Sequence, residues 1–337
     1  MAHRVRQDWL DQVVEEVLEP ELPILDPHHH LWIEQEHWGT YSKDDLVADL
    51  ATGHNVVGTV FVDCRSEYRT DGPEALRPIG ETEYIEGIAN ECEAAGAPSP
   101  GPCAGIVSHA DMFLGDAVEE VLVAHEAASP RFRGIRHITA WDRYDDVRYP
   151  DPTLVEGMMG QAKFVEGCAR LAKRGHSFDA WLFHPQIPEL TALARALPDL
   201  QIVLDHLGGP LGIGPYAKQR DEVFAQWKRD VAELARCENV SVKLGGFVMD
   251  VNGFDWEARP KPPTSEELAA ATRDYYLHAI DCFGPKRAMF ESNFPVDRSA
   301  TSYAVLWNSF KRIAEGFSAE EKGWLFRDAA ARVYRLG

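Results

Sequence analysis

Short apolar, β-branched runs alternate along the chain with longer stretches whose apolar residues recur every three to four positions. The short runs are the opening stretch Ile24–Trp32, then Val56–Asp63, Ala104–His109, Phe132–Ile138, Phe178–Phe183, Gln201–Asp205, Val240–Leu244 and Ala288–Glu291. Between them helical periodicity covers Asp44–Ala51, Thr82–Ala95, Ala117–Ala128, Leu154–Lys173, Pro188–Ala196, Asp221–Cys237 and Ser265–Phe283, with Thr301–Glu315 and Ala319–Leu336 after the last strand. Strands alternating with helices imply parallel pairing through right-handed crossovers. Eight such units in 337 residues predict an α/β fold, a (β/α)8 TIM barrel. The competing pattern, an open doubly wound sheet, calls for a glycine-rich phosphate turn after the first strand, and that position holds histidines. Ahead of the barrel, Trp9, Leu10, Val13, Val14, Val17 and Leu18 recur at helical spacing and stop near Pro20. They predict an N-terminal helical extension over residues 1–21, before a barrel over 22–337. The extension either covers one end of the barrel or packs on a second subunit, and a homodimer is the expected assembly.

Polar chemistry collects at one end of the strands. Ile24–Trp32 reads ILDPHHHLW. Side chains alternate along a strand, so His28 and His30 share a face, with Asp26 on the same side. Later strands end in Asp63-Cys64-Arg65, His109 with Asp111, Arg136-His137, His184, Asp205-His206, Lys243 before Gly245-Gly246, and Glu291-Ser292-Asn293 up to Asp297. Seven of the 13 histidines sit at or beside these ends. Active sites of such barrels form at the C-terminal ends of the strands. The irregular segments Arg65–Gly80, Trp141–Thr153, Gly208–Tyr216 and Met249–Pro263 follow strands two, four, six and seven and would lie over that mouth.

A net charge of −20 argues against nucleic acid and anionic membranes as partners. It leaves room for a small-molecule substrate, and local arginines point to a carboxylated one. The six cysteines form no CxxC pair and read as reduced thiols. The first 20 residues lack the apolar core of a signal peptide, and no apolar run reaches the ~20 residues of a membrane span. A cytoplasmic protein is expected.

DPHHHLW, FRGIRH, FDAWLFHPQ, IVLDHLGGP, VSVKLGG and MFESNFPVD, in this order, resemble the amidohydrolase superfamily. More narrowly the chain is similar to the metal-dependent-hydrolase-like barrels that include dicarboxylate, sugar-acid and muconolactone lactonases. The aromatic-acid decarboxylases are more distant relatives. The resemblance runs from Ile24 to Leu336. It implies that His28 and His30 are the strand-one HxH pair, and that His184 and His206 are the histidines of strands five and six. In metal-using members these imidazoles bind divalent ions, usually with a strand-eight aspartate. A mononuclear Zn or Mn site on His28, His30 and His184 is therefore one expectation. Operation without metal, the imidazoles polarising the substrate directly, is the other.

The chain departs from that pattern at Asn293, where the superfamily has the aspartate. An amide cannot accept a proton. Glu291 and Asp297 flank it as candidate substitutes, although Glu291 is also expected to pair with Lys243 inside the barrel. Catalytic roles are expected for His184, His206 and Asn293, and substrate binding for Arg136, His109, Arg65 and Asp297. Arginine suits bidentate carboxylate recognition. The expected activity is hydrolysis of a small carboxylated lactone, ester or amide. A non-oxidative decarboxylase is the alternative, since it needs no attacking water, and a catalytically silent ligand-binding barrel is the third reading.

Overall fold

The computed structural model describes residues 5–35, 39–149 and 151–336. Eight parallel strands form one sheet in sequence order: β1 Ile24–His29, β2 Val56–Val62, β3 Gly101–Ser108, β4 Phe132–Arg136, β5 Ser177–Ala180, β6 Ile202–Leu204, β7 Val240–Leu244 and β8 Ala288–Phe290. The segment beyond β8 closes the ring against β1: the Asn293 N–H donates to the His28 carbonyl (2.9 Å), and the His30 N–H to that of Phe294 (2.7 Å). Every residue of β1 and of β5 to β8 is buried. Such strands face side chains inside and helices outside, which is why they read as nearly continuous apolar runs.

The barrel interior is a packed core. Leu25, Val60, Val62, Val107, Val203 and Met289 form one buried cluster with residues of the last helix, Ala329–Tyr334. Lys243 is fully buried and held by Asp179 (2.8 Å) and Asp205 (2.9 Å), and the Tyr334 hydroxyl donates to Asp179 (2.5 Å). A buried ammonium requires such partners. Burial alone would lower the lysine pKa, but the carboxylates of Asp179, Asp205 and Glu291 raise it overall, so it stays charged. The expected Lys243–Glu291 pair is thus corrected. Leu204 is in register with Val242, which sets Lys243 beside Asp205 on the neighbouring strand.

Two expectations about helices change. The N-terminal segment is helical only over Gln7–Leu10. Beyond it the chain is a strap: Asn308 donates to the Glu16 carbonyl (2.9 Å), and the Lys311 ammonium to those of Leu18 (2.7 Å) and Glu19 (3.0 Å). Carbonyls captured in this way are not available to a helix. The helix expected over Leu154–Lys173 starts at Ala162, and a small antiparallel pair, Trp32–Gln35 with Gly39–Tyr41, follows β1. The strap covers its own chain. Trp9 and Leu10 are buried, and Trp9 Nε1 donates to the Arg259 carbonyl (3.0 Å) in the loop after β7. Among the described residues no helix is long and apolar enough to cross a membrane.

Candidate active site

Glu291, one residue past β8, anchors the site. Its Oε1 accepts from His206 Nδ1 (2.7 Å) and from the His206 main-chain N–H (3.2 Å), and its Oε2 lies 2.9 Å from His28 Nδ1. One carboxylate therefore contacts two imidazoles. Burial would push this carboxyl up, but the His206 and His28 contacts outweigh it and hold it at about 2. Glycines make the approach possible. A Cβ on Gly245 would lie 2.3 Å from Glu291 Cγ, and one on Gly246, at φ +60°, would lie 2.4 Å from His206 Nδ1. His206 itself has φ 53°, an uncommon backbone for a non-glycine residue.

His28 and His30 face one another through their Nε2 atoms, 3.2 Å apart. His30 Nδ1 donates to the Val62 carbonyl (2.8 Å), which leaves its Nε2 as an acceptor. His28 Nδ1 lies nearer to Glu291 (2.9 Å) than to the Lys243 ammonium (3.1 Å). The lysine can only donate, so its contact makes His28 Nδ1 an acceptor and puts the ring proton on Nε2, facing His30; the other tautomer, with Nδ1–H towards Glu291, leaves both Nε2 atoms as acceptors. In that second tautomer the two lone pairs face one gap, where a cation can sit. Two nitrogens at ~2.0–2.1 Å from a tetrahedral ion stand ~3.3 Å apart, so the pair fits a divalent ion. Burial, with Lys243 next for His28 and Arg136 next for His30, holds both imidazoles well below their ordinary pKa, in the neutral form that ligation needs. His28, His206 and Glu291 also offer ligand atoms within 4.8 Å of one another. The Glu291 Oε1 of this group already accepts from His206 Nδ1, so Glu291 orients that ring.

Above these groups opens a cavity of about 290 Å³, into which His30, His206, Arg136, Arg65 and Asn293 project with Trp32 and Trp181. Trp32 stacks on His30 (ring centroids 5.8 Å apart) and Trp181 stands edge-on to His206 (4.8 Å). A larger cleft, about 520 Å³, lies between helices Lys43–Leu50 and Ile79–Ala94. Its charged groups are Lys43, Asp44 and Glu91, and Lys43 pairs with Glu91 (2.8 Å), so it holds no comparable chemistry.

Other expected residues are placed as follows. His184 is not brought to the imidazole cluster. It starts the turn His184–Gln186 beyond β5, its Nδ1 accepts from the Leu211 N–H (3.3 Å), and its ring meets Tyr216. Burial lowers it to about 4. Asn293 lines the cavity, and its Nδ2 donates to Asp297 Oδ1 (2.8 Å). Burial raises the Asp297 carboxyl well above its ordinary range. Asp297 is fully buried and holds the Asn293 amide in place through Oδ1. Arg136 Nη2 donates to the Asp63 main-chain carbonyl and lies 3.5 Å from its Oδ2. Arg65 pairs with Asp151 (2.7 Å), and Arg69 with Glu83 on the surface. His109 Nδ1 contacts the Arg136 carbonyl (3.2 Å). Asp26 accepts from the N–H groups of His28 (3.3 Å) and Ser292 (2.9 Å) and so fastens β1 to the end of β8.

The indoles at Trp32 and Trp181 were not singled out by the sequence reading. Both sit in motifs that were, DPHHHLW and FDAWLFHPQ, so their neighbours were the available signal.

Comparisons with known proteins agree with this architecture. The family model described as Amidohydrolase matches residues 25–336. The uncharacterized protein y4mH of Sinorhizobium fredii is 33% identical over 336 residues, 94% of this chain and 99% of that one. An L-fucono-1,5-lactonase of Burkholderia multivorans is 28% identical over 275 residues, covering 78% of this chain and 86% of its own. The crystal structure of an amidohydrolase from Burkholderia multivorans with bound zinc superposes with TM-score 0.71 at 25% identity, over 93% of this chain and 99% of that one. With the barrel, the strand-end histidines and a family match across nearly the whole chain in agreement, the protein belongs to the amidohydrolase family and is a hydrolase.

Proposed function

We propose that this hydrolase opens a small lactone, with His206 as the base that activates water and Glu291 as the group that holds it. The observation carrying this reading is the 2.7 Å contact between Glu291 and His206 Nδ1, under an imidazole that lines the cavity. The carboxylate keeps the proton on Nδ1, so Nε2 is the free acceptor. It takes the proton as water oxygen bonds to the carbonyl carbon. The ring C–O bond then breaks, and the imidazolium returns the proton to the departing oxygen, giving a hydroxy acid. Glu291 stabilises that imidazolium through its charge. Such a pair supplies the acceptor that the amide of Asn293 lacks.

His28 and His30 would hold a divalent ion such as zinc or manganese through Nε2, where it would polarise the carbonyl. The zinc reported in the Burkholderia structure supports the same choice. The six free thiols support a reducing, cytoplasmic setting. The lactonase names of relatives favour hydrolysis over decarboxylation, and the engaged His206–Glu291 pair disfavours a silent barrel. Acid release from a panel of lactones, measured by pH-stat beside CO2 release from aromatic acids, tests the proposal. Ring opening that His206→Gln abolishes is the expected result. CO2 release without acid release would replace the hydrolase by a lyase.

A further inference from the structure

We infer that the lactone carries an apolar, ring-sized body rather than a polyhydroxylated chain, an inference that rests on the lactonase reading above. Among the described residues, the cavity wall is built mainly from Trp32, Ile138, Trp181, Phe183, Met249 and Val251. At about 290 Å³ it lies at the small end of ligand pockets, ~300–1,000 Å³, so a bound ligand touches these walls directly.

Several polar groups of the lining already pair within the protein. Arg136 and Arg65 face Asp63 and Asp151, so each positive charge is already compensated. The Asn293 amide nitrogen is committed to Asp297, and Ser299 Oγ donates to the Val296 carbonyl (3.0 Å). Asp250 takes part in an interaction of its own. A hydroxyl buried without a partner costs roughly tenfold or more in binding. Indoles can stack on a sugar face, but stacking leaves the equatorial hydroxyls unpaired. The same compensated arginines remove the net positive charge that a carboxylated substrate requires. A neutral lactone with a phenyl or alkyl substituent fits these walls.

The test compares kcat/KM for δ-phenyl-δ-valerolactone, δ-nonalactone and glucono-1,5-lactone, each divided by its spontaneous hydrolysis rate. All three share a six-membered ring and an alkoxide leaving group. The inference predicts at least a 100-fold preference for the phenyl and alkyl lactones. It also predicts that Val251→Asn narrows the preference at least tenfold while thermal melting confirms a folded protein. Equal or better use of glucono-1,5-lactone by the wild type would overturn the inference and leave the lactonase reading intact. If none of the three is opened, the lactonase reading fails and this inference with it.

Discussion

Replacing Glu291 by Gln separates an orienting carboxylate from a space-filling one. In the wild type, two donors of His206 converge on its Oε1, Nδ1 (2.7 Å) and the main-chain N–H (3.2 Å), and its Oε2 lies 2.9 Å from His28 Nδ1. Glutamine has one acceptor oxygen and one NH2. If its oxygen stays with His206, which supplies two donors, the NH2 meets His28 Nδ1, which must then accept. That holds His28 in the tautomer with its proton on Nε2, which fills the 3.2 Å gap to His30. The His206 imidazolium also loses its counter-charge. A charge-assisted hydrogen bond is worth about 1.5–3 kcal/mol. With the filled gap added, a loss of about 2–4 kcal/mol is expected, roughly 30- to 1,000-fold in kcat. KM should move less than about threefold, because Glu291 lies beneath the cavity rather than in its wall. Initial rates of lactone opening give both constants, and a thermal melt confirms folding. A folded Glu291→Gln protein with kcat within threefold of wild type would refute the orienting role.

Gly246→Ala should reproduce the kcat loss, because its Cβ would lie 2.4 Å from His206 Nδ1 and the left-handed backbone adds about 1–2 kcal/mol of strain. Gly87→Ala, in a helix with nothing within 4 Å of the new Cβ, should instead raise the melting temperature and keep full activity. Asn293→Asp would set a second carboxyl 2.8 Å from Asp297, in a buried site where both cannot ionise, so the unfolding free energy from urea titration should fall by about 1–3 kcal/mol; adding Asp297→Asn should restore it. Burial would raise the Asp63 carboxyl, but His109 and Arg136 outweigh it and hold it at about 2. A carboxyl depressed below its ordinary 3.8 stabilises the fold above that pH and loses the contribution as pH falls toward 2. Unfolding free energies from urea titrations at pH 5 and pH 2.5 should therefore differ by about 1.5 kcal/mol less in Asp63→Asn than in wild type.

The barrel was legible because each strand is a short buried run and each helix keeps its own period. Boundaries were clearest where local chemistry marks them: the capping pairs Ser42–Asp45, Thr264–Glu267 and Ser318–Glu321 all form. The shared face of His28 and His30 followed from strand parity. Partner choice among inward charges did not, since Lys243 could reach Glu291 or Asp205 and only the strand register decides between them. The partners of His184 were not legible for a similar reason: β5 ends at Ala180, and strand alternation has no force in the turn that follows. The N-terminal helix failed because periodicity is blind to distant donors. Val14 is 86% exposed, and Asn308 and Lys311, nearly 300 residues later, take the carbonyls a helix would use.

Hydrolysis in 18O-labelled water tests the central claim most directly. Attack of water on the lactone carbonyl places one 18O in the carboxylate of the hydroxy acid and none in its hydroxyl, and His206→Gln should reduce that labelled product at least 100-fold. Label in the hydroxyl, or undiminished labelled product from His206→Gln, would contradict water activation by the His206–Glu291 pair.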